Sequence, residues 1–393
     1  MLNIFFIGLV SFFTDISTEM VYPIIPLYLT SVFGATPALI GVIEGIAESV
    51  ASLLKVFSGY ISDKFQKKKA LAATGYSTSL LYKILLIAAA SWLGILLARV
   101  IDRVGKGIRT APRDALVAES AEEGKGGRAF GLHKGMDMLG SAIGILITYF
   151  ILRGDGSKID YNNLFLISII PAVLGLGVFF FIKEKQAAPP KKQREKFWKN
   201  VKSLNGQLRL YLAVSFLFTL GNSSNAFLLL KAKSVGFNDA AVIMLYFIYN
   251  LTASALSIPA GGLSDKVGRK GLLVSGYLVF AMAYLGFGVA LNRPFMVGMF
   301  VLYGVFTAMT AGVERAYIAE IAPANLKGTM LGLQSALVGI ALLPASIITG
   351  ALWAAFGSVV PFVFGASLSL TAALLLLFFM NKPYTPNNAI EVD

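Results

Sequence analysis

Long apolar runs, each ended by a short polar stretch, recur from one end of the chain to the other. A helix that spans a bilayer needs about 20 mostly apolar residues. Twelve stretches meet that length, at 4–33, 36–58, 70–91, 93–113, 128–152, 164–182, 208–231, 239–260, 271–291, 294–316, 329–354 and 358–380. Backbone donors and acceptors in hydrocarbon must be paired within the spanning element, and runs this long pair them as helices rather than as strands of a barrel. The pattern predicts an all-α membrane protein of twelve transmembrane helices. The first run holds Asp15 and Glu19 and lacks both a basic lead-in and a small-residue cleavage pattern, so it reads as a retained helix and not as a signal peptide.

Composition agrees: of 393 residues, 56% are hydrophobic and only 14% charged, unlike a soluble domain. Lys and Arg collect in the even-numbered connections, at Lys64, Lys67, Lys68 and Lys69, at Lys125 and Arg128, along 183–202, at Lys266, Arg269 and Lys270, and at Lys327. The odd-numbered connections hold chiefly Arg153, Lys158, Lys233 and Arg293. By the positive-inside rule the even side and both termini are cytoplasmic, and the chain is expected as a multi-pass protein of the plasma (inner) membrane. The formal net charge of +13 then reports topology, with membrane lipids and not nucleic acid beside the loops. With no cysteine, disulfides and thiolate metal sites are excluded.

The longest polar stretch separates two membrane halves. The organisation expected is a six-helix bundle over 1–182, a basic cytoplasmic linker over 183–207, a second six-helix bundle over 208–380 and a cytoplasmic tail over 381–393. The halves are related: GYISDKF from Gly59 matches GGLSDKV from Gly261 at a shift of 202. Ala115, Glu119, Gly127, Gly131 and Leu132 fall on Ala316, Glu320, Gly328, Gly332 and Leu333 at a shift of 201. Two matches at nearly one offset point to a tandem duplication, and parallel repeats of this kind hold a substrate between halves that rock about a central site.

The segments 59–69 (GYISDKFQKKK) and 261–270 (GGLSDKVGRK) resemble the loop 2–3 signature of the major facilitator superfamily and its echo in loop 8–9, with Gln66 where the second copy keeps Gly268. The resemblance spans the chain and implies two six-helix pseudo-repeats working by alternating access. By that resemblance Gly59, Asp63, Lys67, Gly261, Asp265 and Arg269, with Arg113, are expected to gate the cytoplasmic side. A turn dressed with topogenic lysines, and head-group anchoring by Arg109 and Arg113, are the plainer readings. Arg103-Val104-Gly105-Lys106-Gly107 resembles the superfamily's helix-four motif associated with proton coupling, with Lys106 where glutamine is common. Gly131, Gly140 and Gly144 follow part of its antiporter motif in helix five, with Ile145 and Thr148 in place of the usual continuation; simple helix packing is the other reading.

Ionisable groups inside a membrane are costly, and are paired or face a cavity. Asp15 and Glu19 lie four residues apart in helix one, with Tyr22 next on the same face. Glu44, Glu48 and Lys55 share a face of helix two, and Arg99, Asp102, Arg103, Lys106, Arg109 and Arg113 fall within an arc of about 120° in helix four. His133 precedes Asp137 by four residues, a spacing that allows a shared proton or a solvated structural pair. Helices seven to twelve hold almost no deep charge beyond Glu314 and Arg315, and offer neutral groups instead: Thr219, Asn222, Ser223, Asn225, Tyr246, Tyr249, Asn250, Tyr303, Thr307 and Gln334.

A carboxylate in an apolar cavity holds a proton more tightly and is switched by a nearby cation. Asp15, Glu19, Glu48 and Asp102 are therefore the expected proton-coupling groups. Tyr22, Glu44, Arg99, Arg103, Lys106, His133, Asp137, Asn222, Asn225, Tyr246, Asn250 and Tyr303 are the expected solute-binding ones. No phosphate-binding P-loop appears, and no nucleophilic triad or metal-ligand cluster, so neither an enzyme nor a cofactor or metal is expected. The function expected is a secondary active transporter, complete as a monomer, that couples protons to efflux of a small organic or amphiphilic compound. Transport of an organic anion or a metal chelate is the alternative, suggested by the basic stripe and by the likeness of 102–114 (DRVGKGIRTAPRD) to bacterial metal-resistance permeases. A non-transporting membrane sensor is the third reading.

Overall fold

A computed structural model describes residues 2–65, 67–121, 126–153, 161–184, 206–322 and 327–380, with the side chains of 56–57, 59–65, 126–131, 319 and 327–329 outside that description. Among these residues twelve helical segments follow one another. The first half holds α1 (Leu2–Phe33), α2 (Pro37–Phe65), α3 (Lys68–Ala88), α4 (Trp92–Ser120), α5 (Gly126–Arg153) and α6 (Tyr161–Phe181). The second holds α7 (Gly206–Ser234), α8 (Asp239–Val267), α9 (Arg269–Val289), α10 (Arg293–Thr310 with Val313–Ile321), α11 (Lys327–Phe356) and α12 (Val359–Phe379). Eleven of these segments are long and apolar enough to cross a membrane; α4 has the length, at 29 residues, and carries the charged stripe. The linker residues 185–205 and the tail 381–393 lie outside the described residues.

The helices outrun the apolar stretches that predict them. α2 continues to Phe65 and α4 to Ser120, well past 58 and 113, because helical hydrogen bonding does not stop at the edge of hydrocarbon and Lys and Arg are tolerated at head-group level. Starts are set locally. The side chains of Ser91, Asn238 and Asn292 accept hydrogen bonds from the amides of Gly94, Ala241 and Phe295 at the N-termini of α4, α8 and α10.

Three helices are interrupted in mid-span. α1 tightens into a 3-10 turn at Tyr22–Ile24, where Pro23 and Pro26 remove backbone donors. α7 stops at Gly221 and resumes at Ala226, across Asn222, Ser223, Ser224 and Asn225, residues whose side chains compete with helical backbone bonds. Tyr22 and Ser224 are 202 positions apart, so the duplication placed both breaks at one level. α10 breaks at Ala311 and Gly312.

Within the first half α1 packs on α5 and α6, and α3 on α4; within the second, α9 packs on α12 and α8 on α10. The halves meet through α2 against α11 and α5 against α8, two contacts exchanged by the internal repeat. Ion pairs repeat as well. Lys68 pairs with Glu119, and Arg269, 201 positions on, pairs with Glu320 at 2.9 Å. Large apolar side chains such as Phe150, Ile170, Ile258 and Phe378 are exposed on the outside, the reverse of a soluble surface. Below, the near end is the one that holds the start of α1 and the end of α12, and the far end is the opposite one.

Candidate functional site

The breaks in α1, α7 and α10 border one cavity of about 440 Å³ between the halves, a size suited to a single small molecule. The first half lines it with Thr18, Glu19, Tyr22, Glu48, Arg103 and Lys106. The second contributes Phe218, Thr219, the α7 break from Asn222 to Asn225, Tyr246, Tyr249, Tyr303, Phe306, Thr307 and Glu314. A second cavity of about 440 Å³ shares Ala311, Glu314 and Val338 with the first and runs toward the near end past Lys55, Arg315 and Gln334.

Four hydrogen bonds join the halves among the described residues: Tyr161 to Asp239 at 3.2 Å, Ser224 to Glu44 at 3.1 Å, Tyr246 to Glu19 at 3.4 Å and Ser49 to the Gly339 carbonyl at 2.6 Å. At the far end Asp239 also pairs with Lys233, and Ser31 bonds Tyr161 at 2.9 Å. There α2 and α11 touch backbone to backbone: a Cβ on Gly41 would strike the Ser346 carbonyl, and one on Gly350 the Pro37 carbonyl. The far end is therefore closed, and the cavity communicates with the near end.

The charges of the first half form a ladder. Arg99 donates from Nη2 to both oxygens of Glu44, at 2.7 and 2.8 Å, with both side chains at most 2% exposed. One turn along, Arg103 lies 3.0 Å from Glu48. Both guanidinium groups sit over the Tyr22 ring, at 5.1 and 5.2 Å from its centre, a cation–π arrangement. Asp102 is buried and is not among the residues of the cavity wall; its Oδ2 lies 4.0 Å from the Arg103 Nε, and its Oδ1 lacks a hydrogen-bond partner among the described residues. Lys83 of α3, also fully buried, is near enough for its charge to act on Asp102, and donates to Ser79 at 2.7 Å.

A second cluster lies between α1 and α5, closer to the near end. The carboxyl groups of Asp15 and Asp137 are in hydrogen-bond contact, and Asp137 accepts from Lys134 at 2.6 Å. His133 does not join Asp137 by a hydrogen bond; its Nε2 meets the Ser11 hydroxyl at 2.9 Å, which meets Tyr76 at 3.0 Å. Arg109 covers the Tyr76 ring at 4.6 Å and Arg113 bonds Asp114 at 2.9 Å.

The structure thus sorts the residues singled out in the sequence. Glu19, Tyr22, Glu48, Arg103, Lys106, Asn222, Asn225, Tyr246 and Tyr303 line the cavity. Glu44 and Arg99 do not; they neutralise each other behind it. Asp102, Asp15, His133 and Asp137 also stand outside the cavity wall, and Asn250 bonds the Tyr246 carbonyl of its own helix at 2.9 Å. Of the loop residues, Gly59 and Asp63 lie outside the described side chains, Lys67 is exposed, and Gly261 has open space beside it. Asp265 and Arg269 approach to 3.7 Å within their own half. In α5, Gly140 and Gly144 press on the carbonyls of Phe12 and Ile16, so they serve the packing of α1 on α5; Gly131 lies outside the described side chains. Lys83 and Ser224 were missed. A lone lysine in the apolar run 70–91 was the available signal for the first; the second depends on where α7 unwinds.

Comparison with known proteins extends the geometry. The Major Facilitator Superfamily profile matches residues 7–231 and 210–392. The chain belongs to the major facilitator superfamily. It is 37% identical to an uncharacterized MFS-type transporter of Methanocaldococcus jannaschii over 96% of this chain and 94% of that protein. It is 22% identical to the multidrug resistance protein MdtH of Photorhabdus laumondii over 85% of this chain and 82% of that one. The fold superposes on the nucleoside transporter NupG with a TM-score of 0.82 at 11% identity, covering 96% of this chain and 100% of that one. This major facilitator protein is a multi-pass membrane transporter, and superfamily members take small-molecule substrates.

Proposed function

We propose that this transporter couples export of a small organic or amphiphilic compound to inward movement of protons, by alternating access across the plasma (inner) membrane, with both termini in the cytoplasm. The observation that carries the reading is the division of the cavity wall: ionisable side chains from α1, α2 and α4 face neutral amides and phenols from α7, α8 and α10. Basic residues crowd the near-end loops, which supports a cytoplasmic near end. A cavity open on that side is in the loading state of an exporter. The whole cavity is built by one chain, which supports a functional monomer. The resemblance to a multidrug resistance protein supports export as the direction.

Protons enter this scheme through α1. A carboxyl pair in hydrogen-bond contact holds a proton between its members, and Asp15 and Asp137 form such a pair, one turn from the cavity-lining Glu19. In vesicles loaded with a pH dye and tested with a panel of amphiphilic dyes and aromatic acids, solute should move protons in the opposite direction. Asp15→Asn and Glu19→Gln should each lower solute-driven proton movement at least about tenfold, the loss expected when a proton-transfer group is removed. Unchanged proton movement in both variants, or solute flux without protons, would sink the coupling. An organic anion is the second reading, favoured by the placement of Lys106 on the cavity wall.

A further inference from the structure

The ladder of ion pairs between α2 and α4 stops one rung short. Glu44 pairs with Arg99 and Glu48 with Arg103, each across an offset of 55 residues, as parallel helices in fixed register require. The next cation on that face is Lys106, and the same offset brings it to Ala51. Gly107 packs against Ala51 and Leu54, which holds the register there. α2 offers no acid at this level, and its next ionisable residue is Lys55. The Lys106 amine accordingly has no ion pair or hydrogen bond among the described residues, and Glu48 and Glu19 act on its charge only at longer range, while the residue lines the cavity. On the same wall Glu19 receives a single long hydrogen bond, from Tyr246 at 3.4 Å, and no cation pairs with it among the described residues.

An acid and a base that face one cavity without reaching each other keep only longer-range compensation. A ligand that brings an opposite charge to each relieves both at once. We propose that the solute is a small zwitterion with a planar unsaturated body, its amine on Glu19 and its carboxylate on Lys106. This rests on the transport reading above and names its substrate class.

The remaining wall fits such a molecule. Tyr246, which bonds Glu19 through its hydroxyl, and Tyr249 both line the cavity with ring centres 5.7 Å apart, and they supply aromatic surface near Glu19 for an ammonium. Tyr22 does not compete for it, since its ring already carries two guanidinium groups. Tyr249 and Tyr303, 5.1 Å apart, present aromatic surface to a flat body. The Tyr303 hydroxyl lies 3.0 Å from the side-chain oxygen of Asn225 and 3.3 Å from that of Asn222, so both cavity-lining amides keep NH2 groups as donors for an acceptor on the ligand. A solute with only a cation leaves Lys106 without a direct partner, and one with only an anion leaves Glu19 so; the site favours the molecule that supplies both. The ligand amine and the proton also compete for Glu19, which makes their movements opposite. The groups that bear on that carboxyl are Asp15 on its own helix, Arg103 and Lys106 from α4, Asp137 from α5 and Tyr246 from α8.

The test is a charge-matched series on the purified full-length protein: 4-(aminomethyl)benzoate, its methyl ester (cation), its N-acetyl derivative (anion) and the neutral N-acetyl ester, read by melting temperature with no pH gradient. A ligand of the folded state raises the melting point by mass action. The zwitterion should raise it by at least about 3 °C at saturating concentration, and the other three by less than a third of that. In Lys106→Gln the zwitterion and the ester should become equivalent, and in Glu19→Gln the zwitterion and the N-acetyl acid; the unliganded melting point shows that each variant is folded. The proposal is overturned if the ester or the acid stabilises as well as the zwitterion, or if no member of the series binds. Because binding is read without a gradient, a bound zwitterion that moves no protons would defeat the coupling and leave the substrate class standing.

Discussion

Arg99→Gln should remove most of the folded protein from a detergent extract, and Glu44→Gln should come close to it. Each leaves one member of a fully buried pair without its partner. With Arg99 gone, the Glu44 carboxylate keeps a single donor, the Ser224 hydroxyl at 3.1 Å. Breaking a buried ion pair from one side costs about 3–5 kcal/mol, a large share of the roughly 5–15 kcal/mol by which most proteins are stable. The double variant Arg99→Gln with Glu44→Gln removes both charges, so most of the loss should return. Monodispersity on size-exclusion chromatography and the unfolding midpoint would follow all three. Since the pair stands behind the cavity wall and not on it, the double variant should still bind the solute. A double variant no better than either single one would mean that Arg99 and Glu44 matter for some reason other than each other.

The fold was legible because its cause is one-dimensional. Twelve apolar runs had to become helices, and the near-constant shift between GYISDKF and GGLSDKV had to make two halves. The equal levels of the α1 and α7 breaks follow from the same shift. The site was legible only in part. Periodicity put Arg99, Arg103 and Lys106 on one face of α4 and Glu44 and Glu48 on one face of α2, but it does not say which cation meets which acid. That depends on α2 and α4 running parallel as neighbours, in a register that only packing sets. Hence Arg99 and Glu44, expected at the solute, consume each other, while Lys106 at the end of the ladder is left facing the cavity. His133 is a similar case. Its spacing from Asp137 suggested a pair, yet rotation about α5 turns it to Ser11 of α1 and leaves Asp137 to Asp15.

The alternating-access cycle proposed above is exposed to a single substitution at the far end. α2 and α11 approach there so closely that any Cβ on Gly41 would meet the backbone of Ser346 rather than a side chain able to turn aside. Gly41→Leu should therefore destabilise the state closed at the far end while sparing the state in which the helices part. Overpacking a tight contact costs about 1–3 kcal/mol, and a bias of that size between two states changes their ratio by about 5–150-fold. Transport should fall at least about tenfold, because a carrier held in one state cannot complete its cycle. The absence of native cysteine gives a clean reporter: Ser223→Cys, buried on the cavity wall, should resist an impermeant maleimide applied from the far side in the parent. In the Gly41→Leu background it should be labelled from that side. A Ser223→Cys thiol that stays protected while transport continues at the parental rate would show that α2 and α11 do not form the far-end gate; protection lost together with transport would place the gate at this glycine.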